Sequence, residues 1–163
     1  MNIFMFGRKA MHLDVMEIKW LSEGAAATLE SIYVQEHYSH DYFSSAQEPN
    51  LSNQVIQTPS LYESYDASGG DLDVNYSGSV FLTLVLAKEL KNKGLTETQA
   101  FSKILKDFYL LKPDSKNWKN KFEEIFSIST DSFYETVRGY DVSFKDLLPS
   151  PELKLSQIFN DLK

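Results

Sequence analysis

Two short strings hold the residues best suited to chemistry: Trp20-Leu21-Ser22-Glu23-Gly24-Ala25-Ala26-Ala27-Thr28-Leu29-Glu30 and Tyr76-Ser77-Gly78-Ser79. The first is rich in strong helix formers, so Glu23 and Glu30 fall two turns apart on one helix face. A carboxylate so placed is a competent zinc ligand. It is equally suited to an ordinary helix, where Glu23 would favour the N-terminal dipole and Glu30 would face solvent. The second string sets a phenol at the opening of a long apolar segment. The histidines are His12, His37 and His40. Zinc held from a single helix needs imidazoles at i and i+4, on one face. No histidine here has such a partner. His37 and His40 stand three apart, follow Glu23, and read as surface or core histidines near a helix end.

The first string resembles the W-L-x-E-G-x-x-x-x-L-E segment of the glutamate zincins (gluzincins), a clan of zinc metallopeptidases that includes aminopeptidases and glycyl aminopeptidases. The resemblance implies that Glu23 stands in the place of the third zinc ligand. It implies for Glu30 an outer position, orienting a ligand histidine. Tyr76-Ser77-Gly78-Ser79 and the following VFLTLVLAKELK resemble the Tyr-x-x-small segment that opens a buried helix in the same clan, the glycyl aminopeptidase branch most of all. Tyr76 would inherit the catalytic tyrosine's hydrogen bond to the tetrahedral intermediate. The family usually has Gly where Ser79 stands, and Gly78 precedes it, so the register admits a shift of one. A third segment, Phe122-Glu123-Glu124-Ile125-Phe126 with Ser129 to Phe133, resembles the F-x-x-x-F-G-x-S-x-x-x-F ending of these peptidases, with Ser127 in place of the usual Gly.

The departure is the H-E-x-x-H motif, which this sequence lacks. In the aminopeptidase branch the second histidine precedes the ligand glutamate by about twenty residues, which here reaches back to around Phe4. The chain is therefore expected to start inside or just after the place of the zinc helix. The full-length family uses zinc; this chain alone is expected to bind none and to be inactive.

Bulk properties narrow the alternatives. With 163 residues, 42% hydrophobic content and only 7 Gly and 5 Pro, the chain can bury a core and is not disordered in composition. The net charge of −7, without a dense Lys/Arg stripe, argues against nucleic acid. No cysteine is present, which excludes disulfides, thiolate metal sites and a cysteine nucleophile. No run of 18 apolar residues is available to span a membrane, and MNIFMF is too short for a signal h-region.

The elements that must position these residues read as mostly α: a single helical domain over 1–163, a multi-helix bundle resembling the C-terminal helical subdomain of a gluzincin. A first helix is predicted from Trp20 to about Glu36, with Ser22 as a possible N-cap. Residues 44–75 are turn-rich and predict an irregular loop or insertion, with a short helix after Pro59. Tyr76 to Lys93 predicts a largely buried helix ending at Gly94, with a central strand as the competing reading. Thr96, with Gln99 three residues on, predicts a capping box. Trp118, Phe122, Ile125 and Phe126 mark a further amphipathic helix, capped by Asp114 or Ser115, and Ser129 caps the next. Ser143 and Ser150 predict two last short helices.

Two functions follow as expectations. One is the C-terminal portion of a zinc-dependent aminopeptidase-like domain, whose partners are a peptide substrate or the missing N-terminal half. The other is a non-catalytic helical module that binds peptides or other partners. The first requires Glu23 and Tyr76 to face one cleft, on the order of 10 Å apart, a scale set by hydrogen-bond reach on either side of one carbonyl. It also leaves Glu23 more exposed than an ordinary ligand, beside Ala26 and Ala27.

Overall fold

The computed structural model describes residues 18–64 and 72–160. It is mostly helical, and no strand occurs among the described residues. Two long helices form its spine: α1 (Lys19–Tyr38) and α3 (Leu72–Asn92), packed along each other. Between them come a π turn at Phe43–Gln47, a 3-10 turn at Glu48–Asn50, the one-turn helix α2 (Gln54–Gln57) and a 3-10 turn at Pro59–Glu63. The expected loop is thus a chain of short helical turns as far as Glu63, and its 65–71 portion lies outside the described residues. Helix α3 begins at Leu72, four residues before the expected start.

Every residue from Ser77 to Ala87 is buried, so α3 is the central helix and no face of that stretch meets water. Two of its hydroxyls are satisfied within the helix: Ser79 Oγ donates to the Asn75 carbonyl (2.7 Å) and Thr83 Oγ1 to the Ser79 carbonyl (2.9 Å). The buried, continuous apolar run is a helix, which needs no neighbouring strand to satisfy its backbone.

Downstream, α4 (Glu97–Ser102) opens with the capping box of Thr96 and Gln99 and runs on through a π turn at Lys103–Asp107 into α5 (Phe108–Leu110). Helix α6 (Trp118–Phe126) follows a turn in which the Asp114 carboxylate accepts the backbone N–H groups of Lys116 and Asn117, both at 2.9 Å. Helix α7 (Thr130–Val137) is capped by Ser129, whose hydroxyl accepts the Ser132 N–H. The last helix, α8 (Leu155–Ile158), is one turn long. The helices expected at Ser143 and Ser150 are instead hydrogen-bonded turns. Carboxylates from distant elements take up the backbone donors there. Glu48 accepts the Phe144 N–H and the Ser143 hydroxyl (both 3.0 Å), Glu97 the Ser150 N–H (3.1 Å), and Glu36 the Leu155 N–H (3.0 Å).

Trp20 marks the other end of the core. Its ring stacks on Phe133 at 5.6 Å and meets Phe122 edge-on at 6.2 Å. Its Nε1 donates to the Tyr134 hydroxyl (3.0 Å), which donates to Glu63 Oε1 (2.8 Å). Glu63 also pairs with Lys119 at 3.1 Å. One buried indole thus ties α1, α7 and the turns before residue 64 together.

Candidate functional site

The site is built by a close crossing of α1 and α3. Gly24 lies so near α3 that a Cβ there would stand 2.3 Å from the Ser79 carbonyl oxygen and 2.4 Å from Thr83 Oγ1. Gly78 is as tightly covered on another side, where a Cβ would meet the Tyr62 ring at 2.2 Å. Ser77, buried, donates to the Gln47 side chain at 3.3 Å. The small residues of Tyr76-Ser77-Gly78-Ser79 are therefore where three elements converge on α3.

Tyr76 stands at the edge of this junction, half-buried, and Glu23 stands beside Gly24, also half-buried. The crossing sets the two side chains within electrostatic reach of each other. The Glu23 carboxylate raises the Tyr76 phenol above its ordinary value, and partial burial adds to the shift. Tyr109 reaches the same place from α5. Its hydroxyl donates to the Leu21 carbonyl at 3.0 Å. Burial pushes this phenol well up, the neighbouring Ser22 hydroxyl partly offsets the rise, and the Glu23 charge adds to it. Lys19, one turn before Glu23, approaches its carboxylate at 3.9 Å. The arrangement is a carboxylate flanked by two phenols and an ammonium, at the start of a helix.

Other sequence candidates fall elsewhere. Ser22 does not cap α1. The helix starts earlier because Ile18, Trp20 and Leu21 all bury, and Ser22 is carried inward against Tyr109. Glu30 is exposed, about 10 Å along α1 from Glu23. Ala26 is open to solvent, whereas Ala27 is buried. His37 and His40 are exposed at the far end of α1, with His37 about 21 Å along the axis from Glu23. The His37 ring lies 4.3 Å from Tyr33, and the His40 Nε2 is 3.0 Å from the Ser45 hydroxyl. His12 lies outside the described residues.

The described residues contain no group of three or more His, Cys, Asp or Glu side chains placed to share a metal ion. Glu23 by itself does not fit a catalytic zinc site, which takes three protein ligands. Tyr109 was not anticipated. A lone aromatic in an amphipathic stripe signals core, and only the fold carries it across 88 residues to Leu21. No helix among the described residues is long and apolar enough to cross a membrane. Comparison with protein-family models, with curated proteins and with solved structures finds no match.

Proposed function

We propose that this chain is the helical half of a gluzincin-like peptidase domain, presenting Glu23 and Tyr76 on one face and not catalytic by itself. The observation that carries the proposal is the close backbone crossing of Gly24 and Ser79, which sets Glu23 and Tyr76, on separate helices, near enough for the carboxylate to raise the phenol. A carboxylate and a phenol so disposed suit a site where one holds a cation and the other donates to an oxyanion. The described residues supply no pair of imidazoles beside Glu23, so any metal chemistry requires them from another segment or another polypeptide. No catalytic step is assigned to this chain alone.

A second reading is a non-catalytic helical module that binds peptides or other partners. It is favoured by Lys19, which already faces the Glu23 carboxylate, and by the packing duties that Trp20, Leu21 and Gly24 perform in the same string. The coding sequence upstream of Met1 separates the two. An in-frame H-E-x-x-H helix there supports the peptidase reading; an uninterrupted upstream frame without one supports the module.

A further inference from the structure

Away from Glu23 and Tyr76, the end of α3, the outer side of α4 and the region of α8 enclose a groove of about 520 Å3. Among the described residues its charged lining is Lys93, Lys103, Lys106 and Asp107: three cations and one anion, in a chain of net charge −7. Two of the ammonium groups are fixed in place. Lys93 Nζ donates to the Phe126 and Ser127 carbonyls (3.4 and 2.8 Å), and Lys103 Nζ donates to the Ile125 carbonyl (3.2 Å). Those contacts orient the groups at the end of α6 without cancelling their charge, and each ammonium has three hydrogens to give. The Lys106 side chain is only 9% exposed and pairs with the Asp107 carboxylate at 3.7 Å.

The uncharged lining points the same way. Gln99 and Gln157 both border the groove, and each has its amide oxygen committed to capping its own helix. Gln99 Oε1 accepts the Thr96 N–H (2.9 Å) and Gln157 Oε1 accepts the Lys154 N–H (3.0 Å). What each retains for a ligand is its NH2 group, a donor. Among the described residues the groove is therefore rich in donors and positive charge, with the one carboxylate of Asp107.

We propose that this groove binds a small phosphate-bearing anion. Its volume is in the range of small-molecule sites. Ammonium groups and amide donors lining one groove suit tetrahedral oxyanions, whose oxygens only accept. The inference stands independently of the peptidase reading, since it shares no residue with Glu23 or Tyr76.

Calorimetry at low ionic strength, with inorganic pyrophosphate and a nucleoside diphosphate as probes, tests it. Saturable one-to-one binding that weakens with added salt is expected. Tighter binding of the nucleoside diphosphate than of pyrophosphate would assign the anion to a nucleotide; equal binding would assign it to the phosphate alone. The decisive variants are Gln99→Glu and Gln157→Glu. Each keeps the capping oxygen, so folding is retained, but replaces the donor with a negative charge. Each should weaken binding roughly tenfold or more, the worth of one charge-assisted hydrogen bond. Lys116→Gln, an equal change of charge at an exposed lysine outside the groove, should leave affinity unchanged. No saturable binding by either probe, or equal loss in all three variants, would overturn the proposal.

Discussion

Gly24 and Ser79 touch backbone to backbone: a Cβ added to Gly24 would stand 2.3 Å from the Ser79 carbonyl oxygen. That contact sets how near α1 approaches α3, and hence how near Glu23 comes to Tyr76. Gly24→Ala should therefore destabilise the fold by about 1–3 kcal/mol through overpacking. The sign is informative, because in an uncrowded helix interior the same change would stabilise by about 1 kcal/mol. Urea denaturation reads it directly, and a neutral or stabilising result would mean that the crossing is looser than described.

Tyr134 links Trp20 to Glu63, accepting from one and donating to the other. Tyr134→Phe leaves a buried indole N–H without its acceptor and should cost about 1–3 kcal/mol. A pH dependence accompanies it. Burial, followed by the charge and hydrogen bond of Glu63, raises the Tyr134 phenol well above its ordinary value of about 10. The folded state therefore keeps a proton that the unfolded chain releases. The stability it provides is fully present below about pH 10 and is lost as pH rises from there toward the folded value. Alkaline denaturation should be less steep in Tyr134→Phe than in the parent, and parallel curves would contradict the assignment.

Ser127 ends α6 in the left-handed region, at φ +55°, with its N–H donated to the Glu123 carbonyl at 2.9 Å. A side chain there costs about 1 kcal/mol that glycine avoids. Ser127→Gly should raise the thermal midpoint, by an amount equivalent to about 1 kcal/mol. An unchanged or lower midpoint would show that the serine is not strained.

Much of the fold was legible because its signals are local. The Thr96–Gln99 capping box and the Ser129 cap lie within three residues of the groups they satisfy, and the apolar run after Tyr76 is long enough to favour a helix over a strand. What escaped depends on distance. Ser143 and Ser150 looked like helix starts until Glu48 and Glu97, 95 and 53 residues away, accepted bonds in their place. Ser22 looked like a cap but is buried against Tyr109. At the candidate site, the residue types of Glu23 and Tyr76 were visible in sequence. Their juxtaposition was not, because it rests on Gly24 and Gly78 being covered from other elements, and Tyr109 had no local signal at all.

Zinc titration by calorimetry near neutral pH is expected to show no tight one-to-one binding by this chain, because Glu23 stands apart from any histidine among the described residues. Tight binding abolished by Glu23→Gln would require ligands that the described residues do not supply and would reassign the site.

The claim on which the functional proposal rests is that Glu23 and Tyr76 share one face. It is tested most directly by the titration of Tyr76, followed by NMR of ring-labelled tyrosine and assigned with Tyr76→Phe. The Glu23 carboxylate is the principal cause of the raised Tyr76 phenol. In Glu23→Gln the Tyr76 midpoint should therefore fall toward the ordinary tyrosine value of about 10, while Lys116→Gln leaves it in place. A Tyr76 midpoint indifferent to Glu23→Gln would mean that the two side chains do not meet, and the peptidase-like face would not exist.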